Sequence, residues 1–479
     1  MKTDLPRVVA RVARRGGARW VMLLARPNLS AMLASAAMLS ACGDVATLPV
    51  SAGYGAQPTL PTPHKALIPT VNVAPATGWS PGATPQTPPN LRVAAFASGL
   101  DHPRWIHVLP NGDVLVAETN APPRPEAGKG FRGWVMGLMM KRAGAAGPSA
   151  NRITLLRDTD GDGVADLRSV LLEGLNSPFG MALVGSDLYV ANSDAVLRFP
   201  YAPGDLRIKV PGVQVVALPA GPINHHWTKN LLASPDGTML YVTVGSNSNV
   251  GERGLEAEAG RAAIWQLDPL NGVHRVFASG LRNPNGMAWA PGSGVLWTVV
   301  NERDELGSDL VPDYLTSVRD GGFYGWPFTY FGHHVDDRAP VALAESPTPA
   351  ASAVRAPAEV AALVPALVPA LVPDYALGAH TAPLGLAAST GTSLPGQFSN
   401  GMFIGQHGSW NRRPHSGYKV IFVPFEAGKP SAAPVDVLTG FLSDGGRAFG
   451  RPVGVALDKG GALLVADDVG NVIWRVTAR

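Results

Sequence analysis

GLRNPNGMAWAPGSGVLWTVVNERDELGSDLVPDYLTSVRDGGFYGWP runs from Gly280 to Pro327, and its reading decides the fold. GMAWAPGSGVLWTVV reads as a strand, a tight turn and a second strand. The residues around it carry more charge and amide than a strand connection needs: Arg282, Asn283 and Asn285 before the hairpin, then Asn301, Glu302, Arg303, Asp304 and Asp309 after it. A β-unit with polar residues concentrated at its ends suggests a scaffold that carries a site.

The same unit recurs. Apolar strand, turn and apolar strand appear at Trp105–Glu118, Gly180–Asn192, Asn230–Gly245, Gly286–Asn301, Gly401–Pro424 and Val453–Asp467. Asn111-Gly112-Asp113 and Pro235-Asp236-Gly237 are turn signals between alternating strands. Three units share the prefix Gly-Leu-x-x-Pro, at Gly99, Gly174 and Gly280. Roughly 390 residues in six units is about 65 each, enough for a four-stranded blade plus loops. The expected fold is all-β, a six-bladed β-propeller. A β-sandwich leaves the recurring prefix without a reason. In a propeller, equivalent loops from every blade converge near one end of the axis, so distant polar clusters meet.

Composition agrees with many turns and few helices. The 479 residues include 55 Gly and 44 Pro, and only 16% are charged. The net charge is +3, but Lys2, Arg7, Arg11, Arg14, Arg15, Arg19 and Arg26 face one acid, Asp4, at the N-terminus. Beyond that stretch the balance is mildly negative, so nucleic acid is not an expected partner. Residues 1–41 read as a lipoprotein-type signal peptide: a basic region, the apolar run Leu29–Ala41, then Leu39-Ser40-Ala41-Cys42. Cys42 is the single cysteine, which excludes an intrachain disulfide. The expectation is lipid on Cys42, anchoring an exported protein to the bacterial cell envelope facing the periplasm; an ordinary buried thiol is the alternative. Residues 42–90, rich in Pro, Thr and Ala, read as a flexible tether. Residues 91–479 form the propeller, with a low-complexity loop insert at 340–373 that contains ALVPALVPALVP.

Several clusters carry candidate chemistry. His225-His226 precede the third hairpin, where a histidine serves as a base or packs against Trp227. Arg282 and Asn283 precede the fourth, for anion binding or a blade-to-blade ion pair. The loop at Arg303 and Asp304 suits a hard cation or is a solvated turn. Asp158, Asp160, Asp162 and Asp166, with Gly163 at position six, match the front of a calcium loop, but Ser169 stands at the twelfth position. That stretch is a structural calcium site or a plain Asp/Gly turn. Trp410 offers a stacking face beside Arg412, and Arg447 and Arg451 add positive charge before the sixth hairpin. The sequence has no Walker loop and no CxxC, no GxGxxG opens a βαβ unit, and there is no GxSxG elbow between a strand and a helix.

The set RNPNG (Arg282–Gly286), NERDELGSDL (Asn301–Leu310), GGFYGWP (Gly321–Pro327), HHWTKN (His225–Asn230), GQHGSWNR (Gly405–Arg412), GRPVGVA (Gly450–Ala456) and DDVGNVIWRV (Asp467–Val476) resembles the soluble quinoprotein sugar dehydrogenases. The likeness is closer to the L-sorbosone dehydrogenase-like and aldose sugar dehydrogenase-like branch than to the glucose-oxidising one. The resemblance implies a six-bladed propeller that holds pyrroloquinoline quinone (PQQ) and calcium (Ca2+) on its axis. It implies that His226 is the catalytic base, with Arg282 stabilising the reduced oxygen and Asn283 beside the quinone. It implies calcium near the backbone of Arg303 and Asp304, and cofactor contacts from Arg451, Arg412, Trp410 and Arg447. His225 stands where the family has an Asp, and Arg412 near where the glucose-oxidising branch has a lysine. The implied activity oxidises an aldose or sugar aldehyde to a lactone or acid and passes electrons to a separate quinone or cytochrome. Two competing readings stay open: a metal-dependent propeller lactonase using Asn301, Glu302 and Asp309, and a non-catalytic membrane-tethered binding propeller.

Overall fold

The sheets of this computed structural model are antiparallel meanders set around an axis. Residues 43–66, 69–123, 130–340 and 369–479 are described. The expected signal peptide, Cys42 and residues 341–368 of the insert lie outside the described residues.

Six sheets are the six blades. Their innermost strands are Pro103–Val108, Met181–Val184, Leu231–Ala233, Asn283–Trp289, Pro383–Ala388 and Pro452–Leu457. Each touches the next, and the last touches the first. Blade 1 is a plain example: Pro103–Val108, Val114–Glu118, Arg152–Arg157 and Leu167–Leu172 pair in sequence order. Blade 6 is not sequential. Its outermost strand is Leu91–Ser98, which pairs along its length with the C-terminal strand Val472–Ala478. The first propeller strand therefore closes the ring on the last.

The apolar core is divided into layers between blades. Trp105, Leu115 and Ile153 of blade 1 pack on Met181, Leu188 and Phe199 of blade 2. Equivalent layers join blades 2 and 3, 3 and 4, 4 and 5, 5 and 6, and 6 and 1. Each blade presents apolar side chains on both faces, so its strands read as near-continuous apolar runs rather than strict alternation. Near the axis, space is so short that backbones meet. A Cβ on Gly180 would sit 2.2 Å from Leu231 N, and one on Gly385 2.2 Å from Val453 O.

Two expectations change. The fifth unit, expected at Gly401–Pro424, lies elsewhere: Gly401–Gln406 and Lys419–Glu426 are the second and third strands of blade 5. The inner strand is Pro383–Ala388, whose link to the next strand is a long loop with a 3-10 turn at Gly396–Phe398. Without a short turn the hairpin pattern disappears from the sequence. Residues 43–66 and 69–90 are not a free tether in this structure. They run over the propeller, with Tyr54–Gly55 added to blade 4 and Trp79 Nε1 bonded to Asp467 at 2.7 Å. The loop after the second strand of blade 1 carries an α-helix at Gly130–Arg142. Among the described residues no helix is long and apolar enough to cross a membrane.

Gly180→Ala is expected to lower stability by about 1–3 kcal/mol through overpacking against backbone that has no side chain to move aside. The urea unfolding midpoint measures this; an unchanged midpoint would contradict the close approach of blades 2 and 3.

Candidate functional site

In an antiparallel blade the first strand begins where the second ends, so both flanking segments of every blade emerge on one face. On that face a cavity of about 600 Å³ is lined by segments that are far apart in sequence. Blade 1 contributes Arg104; the approach to blade 3 contributes His225, His226 and Trp227; the approach to blade 4 contributes Arg282 and Asn283. The loops after the second strands contribute Asn301, Glu302 and Asp304 from blade 4, and His407, Trp410 and Asn411 from blade 5.

His226 is held in one orientation. Its Nδ1 lies 2.7 Å from the Ser246 carbonyl oxygen. A carbonyl only accepts, so Nδ1 carries the proton and Nε2 is left as the basic nitrogen for the cavity. Burial, then the Arg282 charge, push its pKa well below the ordinary value, so the ring is neutral at pH 7. Lys229 Nζ, itself buried, donates to the His226 carbonyl at 3.0 Å and fixes the loop from behind. Gly245 permits the arrangement. A Cβ there would lie 2.4 Å from Asn283 Oδ1 and 2.5 Å from His226 Cβ.

Arg282 is a clamp as much as a donor. Its guanidinium bonds Asn249 O at 3.1 Å, Asn249 Oδ1 at 2.9 Å and Glu302 O at 2.6 Å, and pairs with Asp304 at 3.3 Å. Most of its N–H groups are thus spent on protein, and what it adds to the cavity is charge. Asp304 also pairs with His380 Nδ1 at 3.3 Å. Burial opposes ionisation of Asp304, but His380 and Arg282 hold its carboxyl well below the usual range. Burial likewise opposes protonation of His380, and the Asp304 bond and charge outweigh it, raising its pKa. Asp313, accepting the Glu302 and Ala382 amides, is pushed up to about 6 by burial.

Arg104 has a different balance. It gives Nη1 to Asp468 at 2.6 Å, its Nε is buried with no hydrogen-bond partner, and its guanidinium lies 5.7 Å from the Trp227 ring. Asp468 also takes His407 Nε2 at 2.9 Å. Burial presses the Asp468 pKa up, but His407, His102 and Arg104 together hold it well down. Two cavity oxygens, Asn283 Oδ1 and Glu302 Oε1, are buried without a partner. Unpaired buried oxygens beside a carboxylate are the donor type that suits a hard cation, and a buried guanidinium with a spare N–H suits an anion.

A model of the family described as TrAA12-like matches residues 149–313 and 368–479. The chain belongs to the TrAA12-like family. This is a family of PQQ-dependent sugar dehydrogenases. Among solved structures, the holo form of the pyranose dehydrogenase PQQ domain from Coprinopsis cinerea is 23% identical with a TM-score of 0.61, over 85% of this chain and 100% of that one. The calcium structure of the Trichoderma reesei carbohydrate-active enzyme of family AA12 is 19% identical with a TM-score of 0.60, over 86% and 99%. The soluble aldose sugar dehydrogenase of Escherichia coli, in its apo-form, is 16% identical with a TM-score of 0.53, over 81% and 100%. At these identities the likeness is one of fold.

In this TrAA12-like chain the cavity brings together His226, Arg282, Asn283, Asp304 and Trp410 from the sequence reading. It does not bring in Arg303, Arg412, Arg447 or Arg451. Arg303 is buried and bonds Glu302 Oε2, Pro327 O and Thr329 O. Arg412 bonds Pro414 O at 2.8 Å and Asp309 at 3.4 Å, bracing two loops instead of facing the cavity. Arg447 is exposed. Arg451 is buried behind Trp410, its guanidinium 5.6 Å from that ring and 5.2 Å from Tyr418, so it backs the stacking face. Asp158, Asp160 and Asp162 gather within 4.8 Å of one another, outside the cavity, while Asp166 turns to Thr159. Glu302, which the sequence reading placed in the oxygen-rich loop after the fourth hairpin and in the lactonase alternative, lines the cavity. Arg104, His380 and His407 were missed as site residues. Arg104 directly follows the proline of the recurring prefix, a usable signal. His380 precedes the inner strand that the sequence did not reveal.

The His407 pKa, lowered by burial to about 4 from an ordinary 6.5, carries a stability consequence. Between those values the unfolded chain binds the proton and the folded chain does not, so stability falls as pH drops from 6.5 toward 4. Urea midpoints at pH 7, 5.5 and 4.5 are expected to decline, less steeply in His407→Gln. Equal slopes in both proteins would contradict this.

Asp309 Oδ2 accepts Thr47 N at 2.6 Å and Leu48 N at 3.1 Å, while Oδ1 pairs with Arg412. Asp309→Ala is expected to cost about 1–3 kcal/mol in holding that N-terminal segment. Limited proteolysis within residues 43–66 should speed up severalfold, and an unaltered cleavage rate would refute the anchor.

Proposed function

We propose that this protein is a PQQ- and calcium-dependent dehydrogenase of an aldose or related sugar aldehyde, sorbosone-like in size and polarity, yielding a lactone or acid. The observation that carries the reading is the tethered His226, presented with Nε2 basic in a cavity that also holds Arg104, Arg282 and Asn283. The C. cinerea neighbour is a PQQ domain in its holo form, and the T. reesei neighbour is a calcium structure, which supports both cofactors here.

The residues present fit both groups. Arg104, with its unpaired Nε, would hold a quinone carboxylate, and Trp410, backed by Arg451, offers a flat face. Glu302 Oε1, Asn283 Oδ1 and Asp304 would hold the cation. When bound, the quinone supplies two-electron acceptance and calcium supplies Lewis acidity. His226 Nε2 takes the proton from the hydroxyl of a sugar lactol or hydrated aldehyde. The Ser246 carbonyl stabilises the imidazolium that results, through Nδ1–H, a role open here because His225 stands where the resemblance puts an Asp. Arg282 stabilises negative charge that develops nearby, acting as a fixed field.

Residues 1–41 are proposed to be a cleaved leader that leaves lipid-modified Cys42 as the mature N-terminus, which tethers the enzyme in the periplasm close to a membrane quinone or cytochrome as acceptor. Mass spectrometry of the mature N-terminus tests this; an unmodified Cys42 would reject it.

His226→Ala is expected to lower kcat by about 10²–10⁴-fold while quinone uptake, read from its absorbance, is retained. Full turnover in the loaded variant would refute the assignment. Calcium-dependent lactone hydrolysis with no quinone uptake would replace it with the hydrolase reading.

A further inference from the structure

The cavity has a rim that the propeller does not supply. Asp44, His64, Ala66, Pro69, Thr70 and Val71 line it together with the blade loops. They belong to the N-terminal segment that precedes the first propeller strand. Exposure separates depth from rim. The side chains of Arg282 and His380 are 7% and 5% exposed, whereas that of His64 is 67% and Val71 is 55% exposed. Arg104 and Glu302, fitted to the quinone and the cation, are likewise only 11% and 1% exposed, so they lie deep, and the segment borders the mouth, where an incoming sugar arrives.

The segment is strapped to the site loops. His64 N donates to Leu306 O at 3.0 Å, Ala46 N to Arg413 O at 2.8 Å and Asn72 N to Trp410 O at 2.7 Å. These acceptors lie on the same two loops that carry Asp304 and Trp410. The strap also crosses itself, with Asp44 N donating to Thr70 Oγ1 at 2.8 Å. Asp44 accepts the Ser308 amide and lies 2.8 Å from His64 Nδ1. A carboxylate on Nδ1 orients the imidazole and leaves Nε2 to accept from a hydroxyl. A strapped carboxylate–imidazole pair at the mouth is a hydroxyl-recognition device, because charged or oriented acceptors bind sugar O–H groups more strongly than neutral ones.

We infer that Asp44 and His64 bind the hydroxyl groups of the sugar at the cavity mouth, so that the N-terminal strap sets substrate selectivity. The inference rests on the sugar reading above and adds residues outside the propeller to it. It also gives the 43–90 segment a role that a spacer does not have.

The test is calorimetric titration of the full-length protein with a monomeric aldopyranose, with and without PQQ and calcium. Direct binding is measured, so the outcome does not depend on turnover. His64→Ala is expected to weaken sugar binding about fivefold, the loss of one hydrogen bond, and Asp44→Asn about tenfold or more. In the loaded enzyme KM should rise by the same factors with kcat unchanged, and quinone affinity should not move. His64→Gln, which keeps a side-chain acceptor, should recover part of the loss. His64 is exposed and its removal spares the fold; unchanged thermal melting confirms this for each variant. Equal sugar affinity in wild type and both variants overturns the inference, as does wild-type protein that takes up quinone and binds no sugar. Failure of wild type to take up quinone, with strap-dependent sugar binding intact, instead counts against the dehydrogenase reading and for the strap.

Discussion

Ring closure is the constraint on which this molecule depends. Leu91–Ser98 pairs with Val472–Ala478 and completes blade 6 from both ends of the propeller sequence. No blade has a core of its own; each apolar layer lies between two neighbours. An open ring would split one such layer and leave both of its faces to water, at roughly 25 cal/mol for each Å² of apolar surface uncovered. Closure also sets the site. Arg104 of blade 1 meets Asp468 of blade 6 only across that seam, and that contact orients His407 from blade 5.

Within the cavity, polar groups are divided between holding and presenting. Arg282 and Asp304 bind loops of blades 3 and 4 to one another, and His380 and Asp313 extend the network into blade 5. His226, Arg104 and the unpaired Asn283 and Glu302 oxygens are presented inward. Such a division follows from the cost of burying charge: Arg282, Asp304 and His380 are paired with one another, and the cavity groups left partly unsatisfied are the ones free to meet a ligand. Arg412 and Arg451 differ in this respect. Both are buried, but Arg412 is paired with Asp309, whereas Arg451 lies against Trp410 and Tyr418, bonds Ala74 O, and keeps Nε and Nη1 without hydrogen-bond partners.

The strap changes the meaning of a proline-rich composition. Few apolar side chains argued for disorder, yet residues 43–66 and 69–90 gain order from hydrogen bonds to loops already held in place. Thr47 and Leu48 on Asp309, Asn72 on the Trp410 carbonyl and Trp79 on Asp467 are all contacts to the folded ring. Proline lowers the entropy lost when such an extended segment is fixed. A composition rule describes what a segment does alone, and this one is not alone.

Much of the architecture was legible because it repeats. The turn signals, the Gly-Leu-x-x-Pro prefix and the apolar hairpins are local, so the six-bladed propeller and the candidates His226, Arg282, Asn283, Asp304 and Trp410 came from sequence. Blade 5 was misplaced where its inner hairpin has a long loop, and His380 was lost with it. What the sequence by itself determined is the set of chemical groups and the repeating unit that carries them. Only the tertiary structure decided which arginines face the cavity, that the Ser246 carbonyl orients the base, and that Asp44, His64 and Thr70 stand at its rim. The reason is physical: direction and partnership of a long polar side chain are set by contacts across blades, between residues as far apart as Arg104 and Asp468, and no local pattern encodes them.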